Sequence, residues 1–372
     1  MPKVLVVFPV SDVGGGEQVL FNLIRFRERN LDYHGLVISD TDGPLSDRLT
    51  GLGVPHTRVR RGRMRNPLSL MSAVRAARQV ISNMRPDILL SNSSQGHLYA
   101  RLASGGGVPS ALYFMSVPAG RLAPLDELTW RLPPDRVFAA SNAIAAMLRH
   151  RGVEHVSTIY HGAPEPVATP DQRMALSRRL DELAIPDGAR IVLMPGRLQR
   201  WKGQLAFIRA FESVASADPR AHAVILGGAM FGREKAFGFE LDLEIRRLGL
   251  QSRVHLAGHE PIAAWLERAS CVVHASLQPD AFPNVCIEAL AARRPLVTNA
   301  ESGVAEILST GANAWVVPPR NIGALGAAIQ DALSDPVRAA RVAEAGYRQY
   351  CEHCTPSHMV RPIEAELCTM MG

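Results

Sequence analysis

Short apolar runs without polar alternation recur along this chain, and they restrict its fold more than any other feature. Val4 to Pro9 is the first and Ile191 to Met194 a later one. Neither keeps a polar face, as expected of a parallel strand covered on both sides. After the first run come Gly14, Gly15 and Gly16, then Val19, Leu20, Leu23 and Ile24 at helical spacing. Strand, glycine turn and helix make a βα unit in which bare backbone can approach a phosphate. Val19 stands where a third fingerprint glycine would be, so the dinucleotide signature is incomplete.

The alternation continues. Strands are expected at 36–38, 87–90, 111–114, 137–140 and 156–159, a helix at 68–84, and a helix after the capping Ser141 that runs to His150. Ser91 to His97 is a polar loop at a strand's carboxyl end, where open α/β sheets place ligands. Pro164, Pro166 and Pro170 mark 161–170 as a linker. From Asp171 the pattern restarts, with strands at 190–194, 222–226, 254–257, 271–274 and 295–298 and helices between them, and the tail from Pro336 to Met370 reads as helices alone. The fold class is α/β. Two doubly wound, Rossmann-like domains are expected at 1–163 and 171–345, with ligand-binding edges facing across a cleft. A helical tail at 346–372 is expected to pack back on the first.

Composition narrows the class. A chain of 372 residues with 47% hydrophobic and 20% charged residues suits two cores. No apolar run reaches the ~18 to 20 residues of a membrane span, and no signal-peptide pattern precedes the first strand. A cytoplasmic protein is expected. The net charge of +6 comes from residues 1–166, where 19 Lys or Arg face 13 Asp or Glu. Arg58, Arg60, Arg61, Arg63 and Arg65 form its densest part, able to meet an anionic acceptor or the inner face of an anionic membrane. Aromatics for base stacking are absent nearby, so no nucleic-acid partner is expected. The 5 cysteines lie in the last third without a disulfide pattern. Cys351 and Cys354 form a CxxC that lacks the second pair of a zinc site, and no metal is expected.

Two loops carry chemistry. In the first, the run ending at Met194 meets a Pro-Gly break at Gly196, then Arg197, then Lys202 and Gly203 at the head of a helix. A helix N-terminus beside two cations is an anion cradle. Only 3 residues of the chain are lysine, and one of them is Lys202. In the second loop, Asp280 and Glu288 flank Ala281, Phe282, Pro283, Asn284, Val285, Cys286 and Ile287. Carboxylates suit sugar hydroxyls, and the amides of Asn284 and Val285 at a helix start suit a phosphate. A sugar nucleotide would use both sets. A mere helix-dipole role for Asp280 fits this stretch equally well.

With the glycine loop, the Gly196-Arg197 turn with Lys202-Gly203, and the Asp280–Glu288 pair in order, nearly the whole chain resembles the retaining glycosyltransferases of family 4. The resemblance implies a GT-B fold and hexosyl transfer from a nucleoside-diphosphate sugar, with no cofactor and no metal. The acceptor would be a saccharide, a lipid-linked saccharide or a small molecule. It implies that Arg197 and Lys202 hold the donor diphosphate, that Glu288 binds the ribose, that Asp280 and the amides after Phe282 meet the transferred sugar, and that Gly14, Gly15 and Gly16 close over the phosphates. The sequence departs from that pattern at four places. Asp280 stands for glutamate, Pro283 for a glycine, Arg293 for a glycine and Met115 for a histidine. His97, on a neighbouring loop, is the substitute candidate for that histidine, and His161 a second cleft candidate. Two other readings stay open: a Rossmann-type NAD-dependent oxidoreductase, for which Asp40 would hold the ribose, and a non-catalytic nucleotide-sugar-binding protein.

Overall fold

The structure, a computed structural model, describes residues 1–61, 66–116, 124–228 and 235–372. Arg63 and Arg65 of the arginine block lie outside them. The chain forms two compact units, Met1–Ala163 with Cys354–Gly372, and Pro164–His353.

In the first unit the strands are β1 (Lys3–Phe8), β2 (Asp32–Ile38), β3 (His56–Val59), β4 (Ile88–Ser91), β5 (Ser110–Phe114), β6 (Arg136–Ala139) and β7 (Val156–Thr158). They make one sheet in the order β3-β2-β1-β4-β5-β6-β7. Every pairing is parallel, with Val6 opposite Gly35 on one side and Leu90 on the other. The order reverses between β1 and β4, which is the topological switch point. Helices α1 (Gly15–Arg25), α2 (Pro44–Gly51), α3 (Pro67–Met84), α4 (Ser94–Ser104), α5 (Pro124–Thr129) and α6 (Asn142–His150) connect the strands. Their starts follow local chemistry: Asn66, Ser93 and Ser141 each accept a first-turn amide, satisfying donors the helix cannot.

The second unit repeats the plan with α7 (Pro170–Glu182), β8 (Arg190–Pro195), α8 (Gln204–Ala217), β9 (Ala221–Leu226), α9 (Lys235–Arg247), β10 (Val254–Gly258), α10 (Ile262–Arg268), β11 (Ala269–Val273), α11 (Asn284–Ala291), β12 (Leu296–Asn299), β13 (Trp315–Val317), α12 (Ile322–Ser334) and α13 (Pro336–His353). Its parallel sheet runs β10-β9-β8-β11-β12-β13, with the switch point between β8 and β11. The central strands are sealed: Val192, Val224 and Val272 are fully buried. Phe207, Phe211 and Val214 of α8 cover one face.

Helix α14 (Pro356–Met370) completes the first unit. Its Glu364 is fully buried and accepts hydrogen bonds from the amides of Glu28 and Arg29, at 3.1 and 2.7 Å, and from the Tyr33 hydroxyl at 2.9 Å. Burial and that carboxylate push the Tyr33 hydroxyl well above its ordinary value. The boundary expected at 346 falls within α13, and the division of the chain comes at Cys354. Arg58 lies in the edge strand β3, where only Val59 is buried.

Candidate active site

The turns that leave β8 and β11 flank the switch point of the second sheet, and the charged side chains converge there. After β8, Gly196 adopts φ 151, and a Cβ on the facing Gly227 would stand 1.9 Å from the Gly196 carbonyl oxygen. The two turns therefore touch through bare backbone. Arg197 is exposed, and its guanidinium has no hydrogen-bond or ion-pair partner among the described residues. Its carbonyl accepts from Nε2 of the fully buried Gln204 at 2.7 Å, which fixes the backbone beneath that free cation. A 3-10 turn, Arg200–Lys202, then leads into α8 through Gly203, the N-cap at φ 83. A Cβ at Gly203 would meet the Ala275 carbonyl oxygen at 1.9 Å, so only glycine lets the β8 turn lie against the β11 turn.

That contact delivers Lys202 to Asp280. The ammonium lies 2.6 Å from Oδ2 and 4.1 Å from the centre of the Trp201 ring. His274, directly after β11, places Nε2 3.0 Å from the same carboxylate oxygen. Its Nδ1 lies 3.1 Å from the Thr298 hydroxyl. With Thr298 donating to Nδ1, Nε2 carries the proton and donates to Asp280. Ser276 Oγ lies 2.9 Å from His274 Nε2 and 3.4 Å from Asp280 Oδ2. The backbone of Asp280 is held as well, its carbonyl accepting from the Gly303 amide at 2.8 Å. Burial by itself would raise the Asp280 carboxyl, but the hydrogen bond from His274 and the charge of Lys202 outweigh it. They hold the group well below the usual carboxylate range. It is an ionised acceptor with one oxygen heavily used.

Glu288, one turn into α11, is the opposite case. It has no side-chain partner among the described residues, and burial pushes its carboxyl up to about 7. Phe282 is buried at 1% exposure ahead of α11, and Asn284 and Val285 form the first turn of that helix. The sequence therefore located Lys202 and Asp280, which the structure brings together. It missed His274, Ser276 and Thr298, although a histidine at the carboxyl end of an unalternated strand was a usable signal.

The first unit places its glycines at the equivalent switch point. Gly14 is the N-cap of α1 and Glu17 reaches back to its amide at 3.1 Å. The other oxygen of Glu17 accepts from Asn92 Nδ2 at 3.3 Å. A Cβ on Gly16 would meet Asn92 Nδ2 and Met115 Cε, each at 2.9 Å, so here glycine provides close approach. Gly15 begins the helix. Ser91 Oγ and Asn92 Oδ1 are buried without a partner among the described residues. Ser94 and Ser116 donate to the carboxylate of Asp126.

One expectation is corrected. His97 does not stand on a loop within reach of a ligand. Helix α4 begins at Ser94, so His97 falls within it, fully buried, its Nε2 donating to the Leu132 carbonyl at 2.7 Å. Burial holds its imidazole below the ordinary value, with the Leu132 bond opposing. The ring has no exposed surface from which to reach donor or acceptor. His161 is likewise buried, edge-on to Tyr113 with ring centres 5.4 Å apart. Among the described residues no three His, Cys, Asp or Glu side chains group to hold a metal ion.

Two family models match in succession: Glycosyltransferase Family 4 over residues 13–165 and Glycosyl transferases group 1 over 178–349. A D-inositol 3-phosphate glycosyltransferase of Catenulispora acidiphila is 27% identical over 263 residues, 65% of this chain and 62% of that protein. A lipopolysaccharide core biosynthesis mannosyltransferase, LpcC, of Rhizobium leguminosarum is 28% identical over 206 residues, 55% of this chain and 56% of that protein. The matches thus span less than two-thirds of the length of these curated relatives. Among solved structures, Anabaena HepE in complex with UDP and glucose superposes with a TM-score of 0.85 at 22% identity, over 99% of this chain and 100% of that one. That likeness is one of fold, and it agrees with the two Rossmann-like units of a GT-B protein. The chain belongs to the group 1 glycosyl transferases, with a first half of the family 4 type.

Proposed function

We propose that this protein is a hexosyltransferase that moves a sugar from a nucleoside-diphosphate sugar, UDP- or GDP-linked, to an acceptor hydroxyl in glycan, lipid-linked saccharide or glycosylated natural-product synthesis. The observation that carries the proposal is the meeting of Lys202 and Asp280 at 2.6 Å, with Arg197, whose guanidinium has no partner among the described residues, on the same turn after β8. This puts cations for a diphosphate and an ionised acceptor for sugar hydroxyls on one sheet edge. Family membership and the structural likeness to a protein solved with UDP and glucose support it.

In this reading Arg197 and Lys202 take the charge that grows on the diphosphate as the bond from the anomeric carbon to the phosphate oxygen breaks. Two fixed cations answer that charge without a metal. Asp280, oriented by His274 and Ser276, accepts from the transferred sugar. The free carboxyl of Glu288 accepts the ribose hydroxyls. Retention would follow from attack on the same face of the sugar as the leaving group. The acceptor oxygen bonds to the anomeric carbon, and its proton passes to the leaving phosphate oxygen. The acceptor is assigned to the first unit, where Ser91 Oγ and Asn92 Oδ1 are buried without a partner among the described residues and Asn92 stands against Gly16. Arg58 and Arg60 there have Asp42 and Asp40 as partners, whereas Arg61 has only the Gln95 amide among the described residues. An acceptor with a single anionic group, soluble or held in a membrane, matches that balance.

A donor panel of UDP- and GDP-hexoses, read by mass spectrometry for nucleotide release and product mass together and by NMR for anomeric configuration, tests the reading. Product of inverted configuration would overturn retention. Binding of donor without turnover over an acceptor panel would favour a non-catalytic binder, and tight binding of a nicotinamide dinucleotide an oxidoreductase.

A further inference from the structure

A second charged groove lies in the same unit at the opposite edge of the sheet. It has a volume of about 360 Å³ and is formed where β8, β11 and β12 begin, next to the start of α13. Its cations are Arg190, Arg268, Arg293 and Arg294, and its one carboxylate is Glu267. Ala332, Leu333, Pro336 and Ala339 give it an apolar wall.

Charge accounting shows what the groove lacks. Glu267 is held away by a two-pronged bond from Arg173, at 2.7 and 2.8 Å. Arg190 is paired with Asp218 at 3.1 Å, and Arg293 with Glu344 at 3.3 Å. Arg268 has only the Asp187 carbonyl, at 2.9 Å, and Arg294 only the Ala269 carbonyl, at 3.4 Å. Nε of Arg294 is buried with no partner. Neither of these two guanidiniums has an ion-pair partner among the described residues. Burial disfavours the charge on Arg294, which the nearby Glu267 only partly offsets. Arg293 also holds φ 52, a left-handed conformation that suits glycine better. The first turn of α13 contributes the positive end of an 18-residue helix, although Asp335 already caps the amides of Val337 and Arg338.

We propose that this groove is a second anion site that takes a phosphate monoester, its phosphoryl group between Arg268 and Arg294 and its substituent on the wall of Ala332, Leu333 and Ala339. A dianionic phosphoryl group matches these two guanidiniums, whose planar forks suit its oxygens. The site is separate from the proposed donor site, which uses the carboxyl ends of the same strands. Free esters and the headgroup of phosphatidic acid share this chemistry.

Phenyl phosphate is the probe, added to the full-length protein and followed by hydrogen exchange against chloride of matched ionic strength. Protection is expected in 292–295 and 336–340. It should be unchanged in Lys202→Ala and weakened about tenfold or more in Arg268→Gln, which loses a charged hydrogen-bond donor. Should Arg294→Gln fail to fold, Arg268→Gln, with a more exposed side chain, still decides. Co-flotation with vesicles containing phosphatidic acid, whose headgroup is a phosphate monoester, assigns the source. Wild-type binding that phenyl phosphate displaces and Arg268→Gln loses indicates a headgroup, and its absence alongside phenyl phosphate protection indicates a free ester. Protection no greater than with chloride, or protection that survives Arg268→Gln, overturns the proposal.

Discussion

At the scale of single residues, Glu288 makes the sharpest statement about pH. Its folded carboxyl titrates at about 7, against 4.5 in an unfolded chain. Between those values the folded state keeps a proton that the unfolded state has lost, so this group's contribution to stability falls as pH rises from 4.5 to 7 and then levels off. The full effect is at most about 3 kcal/mol. Glu288→Gln should therefore gain on the wild type by up to that amount between pH 5 and pH 8, measured by urea denaturation of both. A constant difference across that range would contradict the burial argument. If the ribose reading holds, the same substitution weakens nucleotide diphosphate, and wild-type binding tightens as pH rises through 7, because ribose hydroxyls donate to the ionised form. Asp280 has the opposite sign, since its depressed carboxyl contributes stability above the ordinary carboxylate range and loses it only as acid protonates it. Arg197→Ala and Lys202→Ala should each lower turnover by roughly 10²–10³ while leaving the far-ultraviolet spectrum intact. Activity within about threefold of wild type for both would refute the leaving-group assignment. Of these residues, Lys202, Asp280 and Glu288 could be read from the sequence because their types are rare or paired in loops. His274 offered a signal by its place at the end of an unalternated strand, but its partner could not be read, because Thr298 is 24 residues away in the chain and meets it only when β11 and β12 pair.

At the scale of elements, the site depends on turns packed without side chains between them. Gly203→Ala would force a Cβ onto the Ala275 carbonyl and strain a residue held at φ 83. A loss of about 2 kcal/mol or more in the second unit is expected. Thermal unfolding with hydrogen exchange across 196–204 and 274–280 would check it, and an unchanged midpoint would mean that the two turns can separate at little cost. In the first unit, Glu364→Ala leaves two amides and one hydroxyl without their acceptor, with an expected cost of about 2–4 kcal/mol. The exchange rates of 26–33 give the readout. Element type was legible wherever a strand was sealed on both faces, as in β1 and β8, or a helix was capped by a recognisable side chain, as in α6. The edge strand β3 was not, because one buried valine among four residues carries no period. The polar run from Ser91 to His97 was read as loop throughout, whereas Ser93 caps α4, and this displaced His97 from the ligand side to the interior.

At the scale of the whole molecule, the second sheet repeats the order of the first six strands of the first, which adds β7 at its edge, and each sheet places its glycine-bearing turn at the switch point. That repetition was legible because the βα alternation stops at the prolines of 161–170 and begins again. The return of the tail to the first unit was expected, but the point where it begins was not, since α13 and α14 are both amphipathic helices and only partners far away in sequence distinguish them. The discontinuity of the first unit has a consequence for how the protein is made. Residues 164–353 form an uninterrupted unit, whereas the first unit must wait for Cys354–Gly372 and the Glu364 carboxylate. On a ribosome, which releases the chain from its amino end, the unit begun first is thus the one finished last. A nascent chain stalled near residue 353 should resist protease in its second half before its first, the reverse of the usual order of synthesis.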